Sequence, residues 1–229
     1  MTIHADFTEF KETSGQDPFT LQNKKLLKVF LQYGPVKARI GSMVAYQGDA
    51  SFGHAGSGGV SGYLKQKVTK EGVPVMDVTG SGEVFLADQA ADIQVMYLEN
   101  DSVWCNGANV LAFSGSIGYD IKPIGGTGAM AGGRYNVVLT GTGYVAITSD
   151  GPPVVLDVGS APTFVDPQAV VMWTSGVQMG IKSDVNLKTL IGKSSGETFQ
   201  MSFSGEGWVM VQPSEGVVRG AGTKAGLGF

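Results

Sequence analysis

Three stretches decide how this chain reads: Gly80-Ser-Gly-Glu-Val-Phe-Leu86, Gly141-Thr-Gly-Tyr-Val-Ala-Ile147 and Gly205-Glu-Gly-Trp-Val-Met-Val211. In each, two glycines one residue apart lead into an apolar run, and the copies stand 61 and 64 residues apart. Glycine admits positive φ at little cost, so a glycine pair before an apolar run marks a tight turn feeding a strand. A second unit recurs out of phase with the first, from Val36 to Tyr46, Val103 to Phe113 and Thr163 to Trp173. Each copy ends on an aromatic ten residues after its first β-branched residue, and the three aromatics are expected at equivalent places. Small polar turns follow (Gln47-Gly48-Asp49, Ser114-Gly115-Ser116, Thr174-Ser175-Gly176), then alternating runs such as Ile117, Tyr119, Ile121 and Val177, Met179, Ile181. Alternation with period two reads as half-buried strands.

The repeats divide the chain into modules at roughly 36–87, 103–147 and 163–211. An isolated module of two or three strands cannot bury its apolar face, so three are expected to share one core. The expected fold is all-β: one barrel-like domain over 1–218, with three internal pseudo-repeats and a flexible glycine-rich tail over 219–229. A strand carrying Leu27, Val29 and Leu31 is expected to complete the cycle and close the two ends. Helix is scarce. Short turns at Asn186–Ile191 and Ala129–Ala131 are the candidates, and neither carries a sustained apolar stripe of period 3.6.

Composition narrows the function classes. The 229 residues include 35 glycines, about twice the usual share of roughly 7%. Sixteen basic residues against 20 acidic ones give a net charge of −4, which removes the electrostatic footprint nucleic-acid binding normally needs. No apolar run of 18 residues spans a bilayer, so membrane insertion is not expected. The acidic start (Asp6, Glu9, Glu12, Asp17) reads as neither a signal nor a transit peptide, and a single cysteine excludes an internal disulfide framework. The expected location is the cytoplasm.

The residues that could carry chemistry each have a plainer reading. Gly125-Gly-Thr-Gly-Ala-Met-Ala-Gly-Gly133 offers the backbone freedom of a phosphate loop, but Arg134-Tyr135 follows it and no βαβ unit surrounds it. Similar glycine-rich connections stand at Gly53–Gly59 and Gly192–Gly196, so the feature reads as architecture. His4 and His54 lie 50 residues apart without a His-x-His pair, which argues against a metal centre of the cupin kind. Cys105, between Trp104 and Asn106, reads as a small buried apolar residue without a companion histidine. The carboxylate pairs Asp88 with Asp92 and Glu99 with Asp101 fit solvated strand ends better than a glycosidase pair. Trp104, Trp173 and Trp208 fall on the repeated strands and read as packing residues. Lys24, Lys25 and Lys28 form the one basic cluster. No catalytic, cofactor-binding or metal residue is assigned, and no cofactor is expected.

Several ordered blocks carry a resemblance: Gly41–Asp49, Phe85–Ile93, Gly141–Pro153, Pro162–Ala169 and Gly205–Gly216. Through these the chain, from about 27 to 216, resembles the mitochondrial biogenesis or "altered inheritance of mitochondria" family, whose bacterial members are of unknown function. The resemblance implies a double-stranded β-helix related to the tryptophan RNA-binding attenuation protein, and trimers among bacterial members. It brings no catalytic residues with it. The fungal member is associated with inner-membrane organisation, a role not carried over to a chain that reads as bacterial. A non-enzymatic scaffold or assembly protein, working as a homo-oligomer with a trimer favoured, is therefore the expected function. A small-ligand-binding β-barrel is the alternative.

Overall fold

Alternating apolar residues between glycine-marked turns fold here as antiparallel strands throughout. The structure, a computed structural model, describes residues 7–54, 74–123, 135–182 and 200–214. The expected Asn186–Ile191 and Ala129–Ala131 turns, the Gly125–Gly133 loop, His4 and the 219–229 tail lie outside the described residues. Helix among the described residues is limited to 3-10 turns at Thr8–Phe10, Leu31–Tyr33 and Gly107–Asn109.

The first strands are β1 (Phe19–Asn23), β2 (Leu26–Phe30), β3 (Val36–Arg39), β4 (Met43–Gln47), β5 (Ala50–His54), β6 (Val75–Gly80) and β7 (Glu83–Leu86). Two long strands, β8 (Asp92–Asn106) and β11 (Tyr135–Ser149), flank β9 (Val110–Ser114) and β10 (Gly118–Pro123). The chain continues through β12 (Val154–Asp157), β13 (Thr163–Val165), β14 (Val170–Thr174), β15 (Val177–Lys182), β16 (Gln200–Gly205) and β17 (Trp208–Val211). These form a four-stranded sheet β1-β2-β7-β4, a ten-stranded sheet β12-β17-β14-β8-β11-β9-β3-β6-β5 with β10 on β11, and a three-stranded sheet β13-β16-β15.

The register follows the glycine pairs. Two residues beyond each pair, Val84 sits between Val29 and Tyr46, Val145 between Met96 and Phe113, and Val209 between Leu156 and Trp173. On the strands before the pairs, Val78 lies between Val36 and Phe52, Leu139 between Val103 and Tyr119, and Phe203 between Thr163 and Met179. A register shift skips Val44, Leu111 and Val171 in turn. The 15-residue β8 and β11 run through both kinds of pairing, breaking register near Asn100 and Thr142, and so weld most strands into the ten-stranded sheet.

The close fit of glycine pair to turn holds these strands in place. Ser81 and Gly82 both donate backbone N–H bonds to Asp49 O at 3.0 and 2.8 Å. A Cβ on Gly80, whose φ is +133°, would lie 2.2 Å from Asp49 O, and one on Gly207 (φ +134°) would lie 2.0 Å from Thr174 Oγ1. The two interleaved sequence units thus touch: each glycine pair packs on the polar turn that follows an aromatic. Three apolar clusters fill the interior, one around Leu27, Val29 and Leu111, a second around Phe113, Leu139 and Val171, and a third around Trp173, Phe203 and Val209. Each large side chain so buried contributes about 1.5–3 kcal/mol.

Three expectations are corrected. No barrel closes among the described residues: β4 ends one sheet and β13 another, each with one neighbour there. The N-terminal strand does not join the ends of the chain. It is β2, and it pairs with β7 and β1. The three aromatics match in register but not in environment: Phe113 is 1% and Trp173 2% exposed, whereas Tyr46 is 51% exposed. The strands of Phe113 and Trp173 are flanked by a further strand, β3 or β8, and that of Tyr46 by none among the described residues.

Replacing Gly80 by Ala combines a left-handed φ with a clash against backbone that has no side chain to yield. Gly80→Ala is expected to destabilise the fold by about 2–3 kcal/mol in urea unfolding.

Candidate functional site

Two places stand out: a buried lysine and an exposed apolar strand. Lys28 lies in the run Leu26-Leu-Lys-Val-Phe30, whose residues from Leu27 onward are all buried. In register it faces Phe85, and its ammonium sits 4.4 Å from the Phe30 ring centroid and 5.9 Å from that of Phe85. Only 4% of the residue is exposed. Its charge is met by Glu83 at 3.0 Å and by Glu12 of the N-terminal segment. Burial pulls the Lys28 pKa down, but hydrogen bonds to Glu12 and Glu83 outweigh it and leave the group above its ordinary 10.5. The hydrogen bond from Lys28 holds the Glu12 carboxyl below its ordinary range. Beside them lies an open depression of about 530 Å³ lined by Glu12, Thr13, Lys28, Gln47, Gly82 and Glu83. A charged amine that already donates to two carboxylates has no lone pair for nucleophilic or Schiff-base chemistry.

The other expected candidates are occupied in the same way or lie apart. Asp88 accepts from Arg39 Nη1 at 2.7 Å, and Arg39 also donates to Val110 O and Gly107 O, tying the end of β3 to the Gly107–Asn109 turn. Asp92 pairs with Lys25 at 3.3 Å, so the two carboxylates serve different cations. Lys25 faces Asp92 while Lys28 is buried on β2, and the three lysines do not share one surface. Glu99 and Asp101 are exposed at the break in β8, where Asp101 accepts from Ser102 N at 2.6 Å. Trp104 stacks on Trp173 with centroids 6.0 Å apart and planes 10° apart, and Trp208 packs against the second apolar cluster. Cys105 is fully buried, and burial pushes its thiol up to about 12. His54 falls in β5. Among the described residues no three His, Cys, Asp or Glu side chains converge, and no helix is long and apolar enough to cross a membrane.

The exposed strand is β4, all five of whose residues, Met43 to Gln47, are exposed. Val44 is 62% exposed, and Tyr46 rests edge-on against Phe52 at 5.5 Å. An exposed apolar edge strand invites pairing with another chain.

With this geometry in hand, the mitochondrial biogenesis AIM24 family matches residues 19–214. The chain belongs to that family. No curated protein matches it. Among solved structures it is similar to the X-ray crystal structure of a protein from Streptococcus pyogenes, at 21% identity. The match covers 86% of this chain and 92% of that one with a TM-score of 0.69, and it shows a shared fold.

Sequence reasoning missed Lys28 as a buried ion centre and β4 as an open edge. The first left a signal, a lone lysine inside a five-residue apolar strand. The second left none, because Met43-Val-Ala-Tyr46 reads like its buried counterparts.

Cys105 should not react with a thiol-specific disulfide reagent at pH 8 in the folded protein, and should react fully in denaturant. Rapid labelling of the native chain would contradict its burial. The ion cluster sets a pH effect: Glu12, with its folded pKa lowered, contributes stability above about pH 4.5 that is lost as pH falls through the folded value. In Lys28→Met the apolar stem is kept and the charge removed. Its melting temperature should therefore fall less steeply than that of the native chain between pH 5 and about pH 3.

Proposed function

We propose that this chain is a non-enzymatic scaffold or assembly protein that acts as a homo-oligomer, with three subunits favoured. We also propose that it is built as three pseudo-repeats in a double-stranded β-helix arrangement. The exposed apolar β4 edge carries the first part, since a strand of that composition is stabilised by a partner. The recurring register around Val84, Val145 and Val209 supports the second. The engagement of Lys28, Arg39, Asp88 and Asp92 in ion pairs, and the buried thiol of Cys105, favour structural over catalytic roles for these groups.

Light scattering at micromolar concentration should give a multiple of the 23.9 kDa chain mass, with three chains expected. A strict monomer overturns the assembly reading. Filter binding to a random RNA pool at physiological salt should give no submicromolar affinity, in keeping with the net charge of −4.

A further inference from the structure

Two open edges in this chain have complementary positions in the pairing scheme. Strand β9 is covered on its outer side by β3, with Lys37 opposite Phe113, Val36 opposite Ser114 and Ala38 opposite Ala112. Strand β14 is covered in the same register by β8, with Trp104 opposite Trp173, Val103 opposite Thr174 and Cys105 opposite Met172. Strand β4 matches β9 and β14 in its pairing with the strand after the glycine pair, including the skipped residue Val44. Strand β13 matches β3 and the second half of β8, since Phe164 opposes Ser202 as Lys37 opposes Asp77 and Trp104 opposes Val138. Yet β4 and β13 each end a sheet among the described residues.

We infer that β4 of one copy of this chain pairs antiparallel with β13 of a second copy, Tyr46 opposite Phe164. The same register places Gln47 opposite Thr163 and Ala45 opposite Val165. Each in-chain junction uses three residue pairs, and β13 is three residues long. The pairing would join the four-stranded and three-stranded sheets into one antiparallel sheet, β1-β2-β7-β4 continuing into β13-β16-β15. It would also cover Met43, Val44 and Tyr46, whose counterparts Val110, Leu111, Phe113, Val170, Val171 and Trp173 are all buried, and Phe164, itself exposed. The partner is a second copy because, among the described residues, both edges stand open together in a single chain. Such a contact is heterologous, joining unlike surfaces head to tail, and only a closed ring leaves neither β4 nor β13 unpaired in any copy.

This inference rests on the homo-oligomer reading, and two experiments separate the fates of the two. The first is Val44→Asp, which puts a charge at a site that is open in one chain and enclosed at the junction. Light scattering should fall from the oligomer to 23.9 kDa with the circular dichroism spectrum unchanged. An unaltered oligomer overturns the junction while leaving the oligomer reading intact, and a native chain that is already monomeric overturns both. The second mixes full-length Tyr46→Cys protein with full-length Phe164→Cys protein under mild oxidation. Directly opposed residues bring Cα atoms to about 4.5–5.5 Å, within disulfide reach. Covalent dimers should form in the mixture and in neither protein alone. Dimers of Tyr46→Cys alone would mean β4 meets β4, and an internal disulfide in the double variant Tyr46→Cys/Phe164→Cys would mean the chain closes on itself. Either result overturns the inference.

Discussion

The backbone at Gly80 and Gly82 passes so close to the Gln47–Asp49 turn that no side chain fits between them, and the same contact recurs where Gly207 meets Thr174. Most of the architecture depends on this approach. It brings the strand after each glycine pair against the strand before each turn, and so sets Val84 against Tyr46 and Val209 against Trp173. Because side chains alternate along a strand, fixing one pair fixes the face of every other residue in that strand. A pair of glycines, cheap in sequence, therefore decides which residues enter the core.

The consequences differ along the chain because cover differs. The strands of Phe113 and Trp173 have an additional strand hydrogen-bonded beside them, and both side chains are core residues. Tyr46, in the same register, has no second neighbouring strand among the described residues and is exposed beside Phe52. Polarity follows the same logic. Lys28 is buried by its place on β2, and its charge persists there because Glu12 and Glu83 reach it from a neighbouring segment and strand. A buried cation with two carboxylates and two aromatic rings around it is satisfied, and its raised pKa reflects that.

Several polar side chains of the described residues fasten the fold. Arg39 spends its donors on Asp88 and on carbonyls of the Gly107–Asn109 turn, and Asn109 and Thr148 bind each other's backbone carbonyls at 2.7 and 3.2 Å. These bonds fasten strand ends together. Among the described residues, the β4 edge, Phe164 and the depression beside Glu12 and Lys28 are open to solvent. Membership of the AIM24 family and the shared fold with the streptococcal protein set that surface within a known architecture.

The sequence alone determined the all-β class, the places of the tight turns and the period of the strands, because these are local. Glycine spacing dictates φ, and alternation dictates which side chains share a face. The family was legible for the same reason, in ordered blocks such as Gly41–Asp49 and Gly205–Gly216. Tertiary structure alone decided what covers each strand. Met43-Val-Ala-Tyr46 and Val110-Leu-Ala-Phe113 are nearly interchangeable as text, yet one is exposed and the other buried. Burial here goes with the neighbour paired beside a strand, and that neighbour comes from a distant stretch: β3 for β9, β8 for β14 and, among the described residues, none for β4. The same holds for Lys28, whose partners Glu12 and Glu83 are far from it in sequence and meet it only once β2 lies against β7.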